Sequence, residues 1–111
     1  MTAHATLEQE ETETMTIRES IRQALREELA RDEDVYIMGE DVGAFGGVLE
    51  VTGSLFEEFG EEQVKDTPIA EAGYTGAAIG AAATGTRPVI ELMFSDFMGV
   101  AMDQIMNQMA K

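Results

Sequence analysis

The chain has no cysteine, no tryptophan, two prolines, one histidine (His4) and two lysines (Lys65 and Lys111). Without cysteine there is no disulfide framework and no thiolate metal site. His4 lies in a polar N-terminal stretch, so this chain alone builds neither a histidine-based dyad nor a zinc site. Basic residues are scarce: 7 Lys and Arg face 22 Asp and Glu, for a net charge of -15. Nucleic-acid binding needs the opposite balance and is excluded. No apolar run reaches the roughly 18 residues of a membrane span. Ala72 to Gly85 is too short and too rich in small residues. The acidic N-terminus does not read as a signal peptide. A cytoplasmic protein is expected.

The acidity has two readings. Abundant carboxylates with almost no lysine suit solubility in concentrated salt, where screening weakens self-repulsion. An ordinary acidic cytoplasmic protein has the same composition.

What is present fits one small domain of 111 residues, 44% hydrophobic. Residues 1–15 read as a disordered acidic tail, and residues 16–111 as the organised part. Thr16-Ile17-Arg18-Glu19 is a capping box. Ile17, Ile21, Ala24, Leu25 and Leu29 share a helical face, so a helix is predicted from Ile17 to Asp32, with Glu27 and Arg31 as an i,i+4 pair. Val35-Tyr36-Ile37-Met38 reads as a strand buried on both faces of a parallel sheet. A Gly-rich loop follows through Gly43, Gly46 and Gly47. A short helix over Ser54–Phe59 stopping at Gly60, a short strand over Gln63–Lys65, and a small-residue helix over Glu71–Thr84 are expected next. Pro88–Met93 reads as a third strand, with Pro88 at its permitted first position. Ser95 or Asp96 is expected to cap a last helix, whose Met98, Met102, Met106 and Met109 form a stripe read chiefly as core and secondarily as a soft subunit interface. The order predicts an α/β layered domain: a mostly parallel sheet flanked by helices. Three strands with open edges make a poor independent unit, so the domain is expected to be incomplete: the front part of a longer protein, or a subunit that needs partners.

Glu71 enters a Gly/Ala/Thr-rich helix. A carboxyl buried there would have its pKa raised by desolvation and could trade a proton near neutrality. A helix-start carboxylate set against the helix dipole is the plainer account. Gly39-Glu40-Asp41-Val42-Gly43 follows a strand, where open α/β sheets bind ligands. It is equally an acidic solvated turn. Its glycines match neither a dinucleotide fingerprint nor a phosphate loop. Phe94 and Phe97 are either core residues or a stacking face for a flat heterocycle.

Four motifs occur in order: Met38-Gly39-Glu40-Asp41-Val42, Phe45-Gly46-Gly47-Val48, Asp66-Thr67-Pro68-Ile69-Ala70-Glu71, and Gly85-Thr86-Arg87-Pro88-Val89-Ile90-Glu91. Together they resemble the start of the β subunit of the thiamine-diphosphate-dependent E1 component of 2-oxoacid dehydrogenases, pyruvate, branched-chain and acetoin dehydrogenases included. Gly76 to Gly85, with Glu91-Leu92-Met93-Phe94, is nearest the acetoin branch. The resemblance covers about Thr16 to Lys111 and implies the N-terminal part of a pyrimidine-binding domain. It implies that Glu71 hydrogen-bonds the pyrimidine nitrogen of thiamine diphosphate and promotes loss of the C2 proton. It implies that Phe97 packs on the pyrimidine and that Met93, Glu40, Ile69 and Ala70 line the same pocket. It implies an α2β2 assembly with an E1 α subunit and a second β subunit. The α subunit would hold the diphosphate and Mg2+, and a lipoyl-bearing E2 acyltransferase would accept the acyl group. No metal ligand is expected in this chain, and no activity from it in isolation. A truncated remnant that only binds a partner subunit, and an unrelated acidic module, are the alternatives.

Overall fold

A computed structural model describes residues 12–111. Most of the expected N-terminal tail lies outside the described residues. Helix α1 spans Ile17–Arg31. Its capping box is formed: the Glu19 amide donates to Thr16 Oγ1 at 3.1 Å, and the Thr16 amide to Glu19 Oε2 at 2.8 Å. Strand β1 spans Val35–Gly39, α2 Leu55–Phe59, β2 Val64–Asp66, α3 Glu71–Ala83 and β3 Arg87–Glu91. A 3-10 turn at Ser95–Phe97 leads into α4 (Met98–Met102), which continues as a π-helical stretch over Asp103–Met109.

The sheet is parallel with order β2-β1-β3. Val35 lies opposite Arg87 and Gly39 opposite both Asp66 and Glu91. Side chains alternate across the sheet. Val35 and Ile37 face α1 and α2, where Leu29, Val42, Leu55 and Val64 complete a buried core joined by Leu25, Phe56 and Phe59. Each fully buried aliphatic side chain there contributes about 1.5–3 kcal/mol. Gln63 staples α1 to β1 by donating to the carbonyls of Leu29 and Val35, each at 3.0 Å. Pro88 and Ile90 face the other side, toward α3. The α/β layered architecture expected from the element order is the one observed.

Several local expectations are corrected. Arg31 pairs with Glu28 rather than Glu27, whose carboxylate takes the Gln23 amide instead. Only Leu25 and Leu29 of the predicted α1 face reach the core; Ile17 and Ile21 are exposed. Strand β3 starts at Arg87 and stops at Glu91, because β1 pairs no further than Gly39. Neither Ser95 nor Asp96 caps a helix: both lie inside the 3-10 turn, closed by the Phe97 amide on the Phe94 carbonyl at 3.0 Å. The methionine stripe is not core. Met98, Met106 and Met109 are exposed, and Ala101 is the buried residue of α4. The π winding breaks the 100° spacing on which the stripe was drawn.

Candidate active site

Gly39, Asp66 and Glu91 end the three strands side by side. Just beyond that edge, Glu40 is 4% exposed and Glu71, the first residue of α3, 8% exposed. Glu71 sits in the first turn, where the helix dipole favours an anion. It is also buried. Glu71 is the neighbour that acts on the buried Glu40 carboxyl, through a side-chain hydrogen bond and through its charge. Burial, then the Glu71 hydrogen bond and charge, then Asp41, hold the Glu40 carboxyl above the usual carboxylate range. Glu40 Oε1 and, one turn along α3 from Glu71, Thr75 Oγ1 are buried without a partner. Buried polar atoms are ordinarily satisfied, so each needs a reason.

Tyr74 lies three residues after Glu71, hence beneath it on α3. Its ring is buried, and its hydroxyl donates to the Glu91 carbonyl at 3.2 Å. Burial and the charges of Glu40, Glu71 and Glu91 push its ionisation up to about 12, so it acts only as a protonated phenol at neutral pH. Burial alone raises the Glu91 carboxyl. The Gly-rich loop closes the site: Thr52 Oγ1 donates to the Val42 carbonyl at 2.9 Å, and Gly47 turns at φ +85. A Cβ on Gly47 would lie 3.2 Å from Thr52 Oγ1 and 3.4 Å from Glu91 Oε1, so this position needs glycine for its backbone and for its neighbours.

Glu40 and Glu71 are thus brought together from 31 residues apart in sequence. Ile69 and Ala70 form the exposed turn entering α3. Met93 is half-buried just past β3. Phe97, 37% exposed, meets Phe94 edge-to-face with centroids 5.6 Å apart. Sequence reasoning missed Tyr74 and the carboxyl of Glu91. The i,i+3 spacing from Glu71 was the available signal for Tyr74; nothing local pointed to Glu91. Among the described residues no group of three or more His, Cys, Asp or Glu could hold a metal ion. A groove of about 540 Å³ between α3, β3 and the last helix is lined by apolar residues and Thr75, and does not include Glu40 or Glu71.

Residues 13–111 match the family described as transketolase, pyrimidine binding domain. The chain belongs to that family. The domain is 49% identical over 100 residues to the mitochondrial pyruvate dehydrogenase E1 component subunit beta of Dictyostelium discoideum, covering 90% of this chain and 28% of that protein. It is 47% identical over 109 residues to the acetoin:2,6-dichlorophenolindophenol oxidoreductase subunit beta of Bacillus subtilis, covering 87% of this chain and 32% of that protein. It is 47% identical over 97 residues to the 2-oxoisovalerate dehydrogenase subunit beta of the same organism, covering 87% of this chain and 30% of that protein. The chain therefore spans about a third or less of these relatives. The resemblance to E1 β subunits holds over the N-terminal region. Identities this close across three named activities do not single out the acetoin branch.

Proposed function

We propose that this chain supplies the pyrimidine-binding half of a thiamine diphosphate site in a 2-oxoacid or acetoin dehydrogenase. The supporting observation is the buried Glu40–Glu71 pair at the carboxyl edge of a parallel sheet. The residues present fit a flat heterocycle with ring nitrogens. A buried carboxyl with an orphaned oxygen on Glu40, the buried Glu71 and the exposed Ile69–Ala70 turn lie at the carboxyl edge of the sheet, and the half-exposed Phe97 ring follows β3. They do not fit a diphosphate. All five arginines are engaged: Arg18, Arg26, Arg31 and Arg87 with carboxylates, and Arg22 with the carbonyls of Glu50 and Val51. The resemblance to E1 β subunits assigns the diphosphate and Mg2+ to a partner α subunit, in keeping with these engaged arginines.

When bound, the cofactor supplies the electron sink for breaking the carbon–carbon bond beside the keto group. This chain's residues control a proton. Glu71 would present a carboxyl oxygen to the pyrimidine nitrogen. Glu40 keeps its proton to higher pH than a solvated acid would and can donate it to a Glu71 oxygen. Tyr74 walls the pair from water while its hydroxyl fixes α3 to β3. Ile69 and Ala70 offer backbone groups, Met93 lines the pocket, and Phe97 offers a ring face. The reaction is oxidative decarboxylation of a 2-oxoacid, or acetoin cleavage, with acyl transfer to a lipoyl carrier on an E2 partner. The assembly is α2β2 and cytoplasmic, and this chain by itself is inactive. No helix among the described residues is long and apolar enough to cross a membrane.

The test is Glu71→Gln in the chain co-assembled with its α partner. The readout is thiamine-diphosphate-dependent reduction of an artificial electron acceptor. Turnover is expected to fall about 10²- to 10⁴-fold, the usual size of a lost proton-transfer group, with assembly intact. Unchanged turnover would end this assignment of Glu71. A complex that assembles but shows no turnover with unmutated Glu71 would favour a remnant that only binds its partner.

A further inference from the structure

Asp66 stands at the end of β2 and belongs to no ion pair among the described residues. Its Oδ1 accepts the Gly43 amide at 2.7 Å. The carboxylate lies so close over Gly43 that a Cβ there would sit 2.5 Å from Oδ2. One residue on, the Thr67 amide donates to the Gly39 carbonyl at 2.9 Å. Asp66 and Thr67 therefore grip both ends of the turn Gly39–Gly43, and Glu40 lies inside that grip. The same segment runs on through Pro68 and Ala70 into α3, whose first residue is Glu71. One short stretch of chain thus fixes the backbone under one carboxyl and delivers the other.

We propose that Asp66 is a positioning residue for the proton-sharing pair: by holding the Gly43 amide it sets where Glu40 meets Glu71. This rests on the function proposed above. The bond needs an acceptor, not a charge. An asparagine carbonyl oxygen accepts the same amide proton, while alanine cannot. Glu40 faces Glu71 and Tyr74 from α3 and Asp41 from its own turn, and Glu91 reaches Tyr74 from β3. Loosening the turn admits water to Glu40, which then loses its proton at lower pH.

The experiment compares Asp66→Ala, Asp66→Asn and Gly43→Ala. Hydrogen–deuterium exchange of residues 41–47 is measured in the full chain without cofactor. Asp66→Ala is expected to speed exchange about 10- to 100-fold, the worth of a hydrogen bond to a charged group, and Asp66→Asn, which keeps a neutral acceptor, to speed it by about tenfold or less. In the assembled enzyme, Asp66→Ala is expected to lower kcat by up to about 100-fold, as small misplacements do, with KM for the keto substrate unchanged. The alkaline limb of its pH profile should move to lower pH, and Asp66→Asn should restore both. Gly43→Ala forces the same contact apart from the other side and is expected to reproduce Asp66→Ala; it decides the matter if Asp66→Ala does not fold. Parent-like exchange in Asp66→Ala, equal damage from Asp66→Asn, or an unaffected Gly43→Ala overturns the proposal. If Glu71→Gln keeps its turnover while Asp66→Ala still speeds exchange, the function is wrong and the clamp stands.

Discussion

Glu40 is a buried carboxyl whose proton affinity is raised by its surroundings. Its neighbours raise its folded-state pKa, so between the ordinary carboxylate value and the raised one the folded chain binds more protons than the unfolded chain. The contribution to stability is present below the unfolded value and is lost as pH rises through the folded one. Burial of Glu91 acts with the same sign. Glu40→Gln removes the buried charge but keeps the shape. At pH 8 the variant is expected to be more stable than the parent by about 1 kcal/mol, the scale of an unsatisfied buried group, with the gap closing toward pH 4. Denaturant midpoints at pH 4, 6 and 8 measure this, and a destabilised variant at pH 8 would contradict it. Under the proposed function its turnover falls as well, because Glu71 then has no proton to receive from this position.

At the scale of elements, local signals and long-range pairing divide the work. The start of α1 is set locally by the reciprocal Thr16 and Glu19 bonds. Thr16→Ala is expected to cost about 1 kcal/mol, read by chemical denaturation. A loss well below that would mean that water replaces the cap without penalty. The end of β3 is set by its partner: β1 offers no pairing beyond Gly39, so Leu92 and Met93 leave the sheet although they are apolar. The last helix is set by neither. Its short α-helical start at Met98–Met102 passes into π winding over Asp103–Met109, and Met98, Met106 and Met109 are exposed.

For the whole molecule the dominant quantity is charge. A net charge of -15 on 111 residues repels itself, and the ion pairs found are mostly exposed, so each offsets little. Added KCl screens that repulsion, with a Debye length of about 10 Å at 0.1 M and about 3 Å at 1 M. The melting temperature is expected to rise between 0.1 and 2 M KCl. A flat or falling curve would leave the acidity as composition without a salt adaptation.

Composition and periodicity alone determined the layered α/β order and the start of α1, because capping boxes and apolar runs act over a few residues. The position of Glu71 at a helix start was legible for the same reason: the Gly/Ala run after it fixes where α3 begins. Only the tertiary structure decided that the buried Glu40 has Glu71 as its neighbour and that the Tyr74 hydroxyl reaches the Glu91 carbonyl. It alone decided that Asp66 reaches Gly43. Those contacts join residues separated by 17 to 31 positions, and parallel strand register, which no local pattern encodes, is what carries them to the same edge of the sheet.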